Sequence, residues 1–122
     1  ARNQKRVFVL VATSNPEAVE LQQGGVSKSI LEELAAFDRD AVGVVIGATV
    51  DTTAYGLDQL LRDTQFPILA PGFGVQGAEL SEASILFGLH SQNLIANVSR
   101  SVLAGSPEGL KDRIEAAMKE LR

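Results

Sequence analysis

Four short apolar runs punctuate the chain: VFVLVA at 7–12, AVGVVIGA at 41–48, FPILAP at 66–71 and LIANV at 94–98. None alternates apolar with polar positions. Unbroken apolar runs of this length fit strands covered on both faces, and such strands belong to parallel sheets flanked by helices. The stretches between them carry helical spacing. After the first run, Asn15 is placed to cap a helix, Pro16 to take its first position and Glu17 to sit near its positive end. Gly24-Gly25 breaks that helix, and a second pattern, with Ile30, Leu31 and Leu34 on one face, runs from Ser27 to Phe37. The next helix is expected from Asp51, carrying Ala54, Leu57, Leu60 and Leu61, and a shorter one over 78–87. In the last, Ser106 caps, Pro107 takes the first position, and Leu110, Ile114, Ala117, Met118 and Leu121 form a stripe.

The order is βα repeated four times with no linker or low-complexity segment between units, which is α/β architecture. A complete (β/α)8 barrel takes roughly 250 residues. Four units in 122 residues are therefore about half of one, a (β/α)4 segment with parallel strands and helices outside. An open, doubly wound four-stranded sheet competes with it, and length does not choose between them.

A hydrophobic content of 45% supports a real core in a single segment, 1–122. The net charge of −4 is spread singly along the chain, so there is no basic field for nucleic acid or an anionic membrane, and neither is expected as a partner. A small anion would have to be held by local groups. The absence of cysteine excludes disulfides, zinc–thiolate sites and thiol catalysis, and permits a reducing compartment. No apolar run approaches ~18 residues and no signal-peptide layout opens the sequence, so a soluble, cytoplasmic protein is expected. The first strand follows ARNQKR almost at once, an abrupt start for a whole protein.

In α/β folds the site lies at the C-terminal ends of the strands. The residues that follow each run are Thr13-Ser14-Asn15-Pro16, Ala48-Thr49, Pro71-Gly72-Phe73-Gly74-Val75-Gln76-Gly77 and Ser99-Arg100-Ser101. They are small, polar and glycine-rich with one cation. That suits a phosphorylated ligand, since glycines let backbone N–H groups approach its oxygens while Arg100 offers a charged fork. In many barrels the phosphate sits between the last two βα loops, beside a short extra helix. Here SRSVLAG leaves room for one such turn before Ser106.

Each feature also has a plainer reading. Pro-Gly-x-Gly serves as a tight strand-to-helix turn, Arg100 as a surface or salt-bridged arginine, and Ser14-Asn15 as a helix cap. His90, in the apparent loop GLHSQN with no cysteine or histidine partner, reads as a solvated loop residue, and Tyr55 as packing. Gly72-x-Gly74-x-x-Gly77 matches the dinucleotide fingerprint letter for letter, which leaves an NADP-binding Rossmann-type domain as an alternative. That reading calls for an acid about 20 positions on. Asn97 to Arg100 stand there without one, although an arginine could suit NADP. Pro71 precedes the first glycine, and the motif falls in the third βα unit instead of the first.

TSNPEAVELQ at 13–22, VGVVIGAT at 42–49, PILAPGFGVQG at 67–77 and NVSRSVL at 97–103 resemble, in this order and spacing, the C-terminal half of orotidine 5′-monophosphate decarboxylases of the bacterial branch whose fifth strand ends in T-S-N-P. The resemblance covers essentially the whole chain. It implies a (β/α)8 barrel of which these are strands five to eight, usually dimeric, that converts orotidine monophosphate to UMP in pyrimidine biosynthesis with no cofactor or metal. It further implies that Ser14 hydrogen-bonds the pyrimidine ring and that Pro71 and nearby backbone line the base pocket. Gln76 would bridge the phosphate and base sides, and Arg100 would clamp the phosphate, helped by backbone N–H groups near Gly77 and Ser99.

The family's chemistry is done by lysines and aspartates of the N-terminal half, including Asp-x-Lys-x-x-Asp at the third strand. Lys5, Lys28, Lys111 and Lys119 lie before the first strand or in helical patterns, and none is in that motif. By this resemblance the chain carries the phosphate grip and part of the base pocket without the catalytic residues, as a fragment, a separately numbered chain or an engineered half. A half barrel has open strand edges and uncovered apolar surface, so it should pair with the missing half or with a second copy of itself. A non-catalytic half-barrel that simply holds a nucleotide is the second hypothesis.

Overall fold

The computed structural model describes residues 5–74 and 76–122; residues 1–4 and Val75, one of the three variable positions inside the glycine pattern, lie outside the described residues. Each apolar run forms a strand: β1 (Val7–Ala12), β2 (Val42–Ile46), β3 (Ile68–Pro71) and β4 (Leu94–Asn97). They form one sheet in the order β1-β2-β3-β4, every neighbouring pair parallel. An open doubly wound sheet reverses its strand order at a switch point. The uninterrupted order is that of consecutive staves of a barrel, so the (β/α)4 reading holds and the open-sheet competitor does not.

Register separates the two faces. Val9, Val44, Ile68 and Leu94 align across the sheet on one face, where Val44 and Ile68 are fully buried in the core under the helices. The next row, Leu10, Val45, Leu69 and Ile95, points to the other face, and its two ends remain 55% and 43% exposed. The outer strands are therefore not covered on both sides, although their sequences are as apolar as the inner ones. Gly43, opposite Phe8 in the register, leaves the space that the Phe8 ring occupies.

The helices are α1 (Pro16–Leu21), α2 (Ser27–Leu34), α3 (Asp58–Thr64), α4 (Ala83–Phe87), α5 (Arg100–Leu103) and α6 (Leu110–Glu120). A kinked segment, Gln22–Val26, joins α1 to α2, and Gly25 within it takes φ +116°, so the glycine pair breaks the helix as its sequence predicts. Several expectations need correction. The helix expected from Asp51 starts at Asp58: the Asp51 carboxylate accepts from the Thr53 and Ala54 N–H groups and closes a turn, and Gly56 at φ +70° ends it. The pattern expected to reach Phe37 stops at Leu34. Asn15 and Ser106 occupy N-cap positions ahead of Pro16 and Pro107, but neither side chain makes a capping bond. Ile114 and Met118 on α6, and Leu121 at its end, stay 42–55% exposed, because β4 is an edge of the described sheet.

Candidate functional site

Pro71 and Asn97 end β3 and β4 as register partners, so the loops that follow start side by side. The glycine loop is closed by its own backbone: Gly74 N–H donates to Ala78 O at 2.7 Å and Gly77 N–H to Gly74 O at 3.0 Å. Gly72, Gly74 and Gly77 all have positive φ, at +113°, +84° and +107°. The spacing of the glycines thus follows from a backbone path that other residues enter only with strain. Ala48 N–H donates to Pro71 O at 2.8 Å and ties the loop's origin to the end of β2.

Four of the six residues singled out from the sequence, Pro71, Gln76, Ser99 and Arg100, line one cavity of about 200 Å³, together with Gly72, Phe73 and Asn97. Gln76 folds back over Gly72, where a Cβ would lie 3.4 Å from Gln76 Oε1. Arg100 opens α5, the single helical turn anticipated after β4, and among the described residues is the only charged one lining this cavity. Among the described residues it has no salt-bridge partner. Gly77 lies in the same loop but does not line the cavity. Ser14 follows β1, two strands away, and lines a separate cavity of about 230 Å³ with Thr13, Thr49, Asp51 and Tyr55. Tyr55 is buried as packing, as expected, though in a turn and not a helix. Asn97 is the cavity residue that sequence reasoning passed over; its place as the last residue of an apolar run was the available signal.

A larger cavity, about 470 Å³, lies beside α6 and holds Glu79, Glu120 and a single cation, Arg113. It is the poorer anion site. Arg113 already donates to Val102 O at 2.6 Å and Ser106 O at 2.9 Å, securing the end of α5, while the two carboxylates repel anions.

His90 is not a solvated loop residue. It is 95% buried on the short helical turn Gly88–Asn93, with Nε2 3.2 Å from Asp58 Oδ1, and Asp58 also accepts from the Thr52 and Thr53 hydroxyls at 2.6 and 2.7 Å. This cluster links the start of α3 to the segment before β4, and none of its members lines the cavity at Arg100. Among the described residues no group of three or more acidic, histidine or cysteine side chains is arranged to hold a metal ion, and no helix is long and apolar enough to cross a membrane.

No protein-family profile matches the chain. Curated relatives do. The chain is 33% identical over 126 aligned positions to orotidine 5′-phosphate decarboxylase of Salinispora tropica, covering 90% of this chain and 44% of that protein. It is 37% identical to the protein of the same name from Streptomyces coelicolor, covering 84% and 39%, and 37% identical to that of Thermomicrobium roseum, covering 95% and 44%. A crystal structure from Streptomyces avermitilis, provisionally assigned to the same activity, superposes with a TM-score of 0.78 at 34% identity over 96% of this chain and 44% of that one. The chain spans less than half the length of the relatives it matches. By sequence and by backbone, it is a relative of orotidine 5′-phosphate decarboxylases that corresponds to a portion of them.

Proposed function

We propose that the chain is the C-terminal (β/α)4 portion, strands five to eight, of an orotidine 5′-phosphate decarboxylase, and that it supplies the phosphate grip and part of the pyrimidine pocket. The observation that carries this reading is the convergence of Pro71, Gln76, Ser99 and an Arg100 that forms no salt bridge among the described residues on one cavity at the ends of two adjacent parallel strands. At about 200 Å³ the cavity is smaller than the ~300–1,000 Å³ of a drug-sized site. It suits the phosphate end of a nucleotide, whose base would extend toward Ser14. Arg100 takes the phosphate as a charged fork, Gln76 reaches between phosphate and base, and Ser99 adds its N–H.

Decarboxylation calls for a group that protonates the vinyl carbon as carbon dioxide leaves, and among the described residues no lysine or carboxylate lines this cavity. Lys28 and Lys111 are paired along their own helices with Glu32 and Glu115. The chain alone is therefore a binding half, and the lyase activity belongs to its union with a half that carries Asp-x-Lys-x-x-Asp. The exposed ends of the Leu10–Ile95 row support such a partner, either that half or a second copy. Binding energy at the phosphate, remote from the reacting carbon, would then be used at the transition state. We place the assembled enzyme in the cytoplasm as a homodimer.

The test has two arms. Extending the coding sequence upstream should reveal an apolar strand followed by Asp-x-Lys-x-x-Asp, and the extended protein should turn orotidine monophosphate into UMP. The 122-residue chain should bind UMP and leave orotidine monophosphate unconverted. An extended protein that lacks both motif and activity overturns the enzyme reading, and failure to bind UMP or any phosphorylated sugar overturns the grip itself.

A further inference from the structure

Three polar ties from three different elements secure the end of β1. Ser27, buried at the start of α2, donates its hydroxyl to Val11 O at 2.5 Å, and Gly47 N–H, just past β2, donates to Ala12 O at 3.0 Å. The third is Gln22. Thr13 N–H donates to Gln22 Oε1 at 3.0 Å, and Gln22 Nε2 donates to Thr13 Oγ1 at 3.3 Å. A backbone N–H can only donate, so the first bond fixes which way the amide points and the second follows from it. One side chain thus holds both the backbone and the hydroxyl of Thr13.

Ser14, the next residue, has no hydrogen bond of its own among the described residues, and its position is inherited from Thr13 on one side and Pro16 on the other. Close packing adds a limit: a Cβ on Gly47 would lie 3.3 Å from Ser14 N. Gln22 itself keeps helical geometry at the end of α1, three residues before Gly25 turns the chain toward α2. The kink at Gly25 swings α2 away from the axis of α1, so the amide of Gln22 reaches back to Thr13 while Ser27, beyond the kink, reaches Val11.

We propose that Gln22 is a positioning residue for the base end of the site: by clamping Thr13 it sets Ser14, and with it affinity for the pyrimidine but not for the phosphate. The inference rests on the function proposed above. Among the described residues Gln22 does not line the cavity at Arg100 and its side-chain hydrogen bonds go to Thr13, so the two ends of the ligand should respond to it separately.

The test compares UMP with ribose 5-phosphate, by calorimetry, on the 122-residue chain and its variants Gln22→Leu and Gln22→Glu. Gln22→Leu should weaken UMP roughly tenfold, the scale of losing two modest hydrogen bonds, and leave ribose 5-phosphate within about twofold. Gln22→Glu, which keeps an acceptor for Thr13 N–H, should recover much of the UMP affinity. Retained ribose 5-phosphate binding also reports that the variants fold. If both ligands weaken together, Gln22 is structural and the inference is overturned; if neither weakens, it is overturned while the functional reading stands. If the unmodified chain binds neither, that functional reading falls and this inference with it.

Discussion

Gly74 packs against Ser101 so closely that a Cβ on the glycine would lie 2.9 Å from the Ser101 hydroxyl oxygen and 3.2 Å from its Cβ. The contact joins the loop after β3 to the helical turn after β4, and so sets the gap between Gln76 and Arg100.

Replacing Gly74 by alanine should therefore open that gap. The new methyl meets Ser101, and φ of +84° costs a residue with a Cβ about 1–2 kcal/mol whatever the space. We expect ribose 5-phosphate binding to weaken by roughly fivefold or more, since the helical turn must shift for the methyl to fit. Adding Ser101→Gly should restore part of the binding, because it removes the collision but not the backbone strain. Equal affinity in Gly74→Ala and the unmodified chain would show that the two loops are not coupled through this contact.

Arg100→Ala should weaken phosphate-ended ligands by about 1.5–3 kcal/mol, roughly 10- to 150-fold in Kd, the range for a charge-assisted hydrogen bond. Arg100→Lys should fall between, because it keeps the charge and loses the planar fork. In the assembled enzyme the loss should appear in kcat/KM for orotidine monophosphate. Near-unchanged values for the alanine variant in both assays would remove Arg100 from the site.

Asp58 gives the fold a dependence on acid. Burial by itself raises its carboxyl pKa, but the hydrogen bonds from Thr52, Thr53 and His90, together with the charge of the imidazole, outweigh burial and leave it below the ordinary 3.8. A carboxyl depressed in the folded state contributes stability above its unfolded value, and that contribution is lost as pH falls through the folded one. Urea midpoints of the unmodified chain and Asp58→Asn should thus differ most above the ordinary carboxyl range and draw together as pH falls below 3.8. A gap that stays constant across that range would mean the cluster does not hold the ionised form.

How much of this was legible in the sequence depends on how local each signal is. The strands were legible because an unbroken apolar run is a local pattern, and the cavity residues Pro71, Gln76, Ser99 and Arg100 because each follows such a run. What the sequence hid was pairing at a distance. His90 reads as loop because its partner Asp58 is 32 residues away, and nothing near either residue announces the other. Asp51 reads as a helix start because its capping bonds look the same whether a turn or a helix follows; the positive φ of Gly56 decides for the turn. Gln22 sits in an ordinary helical pattern and becomes distinct only once its amide meets Thr13, nine residues away. The exposed ends of the Leu10–Ile95 row follow from which strands are outermost, a property of topology that local hydropathy does not encode.

That row carries the last prediction. Leu10, Val45, Leu69 and Ile95 cross the sheet in register on the face away from the helices, and only the outer two are substantially open to solvent. In a closed eight-stranded barrel these positions would point inward and be buried by side chains from the remaining strands. Leu10→Lys changes a side chain that is already 55% exposed, so thermal unfolding of the chain by itself should move by little, within the roughly ±0.5 kcal/mol typical of surface substitutions. Assembly should respond far more strongly. Burying an unpaired ammonium on closure costs several kcal/mol, enough to abolish association with a complementary half or with a second copy at micromolar concentrations. Sedimentation of the unmodified chain, alone and mixed with the upstream half, would establish which association forms. Leu10→Lys and Ile95→Lys should then each reduce it to the free components. If either variant associates as the unmodified chain does, the row does not face a barrel interior.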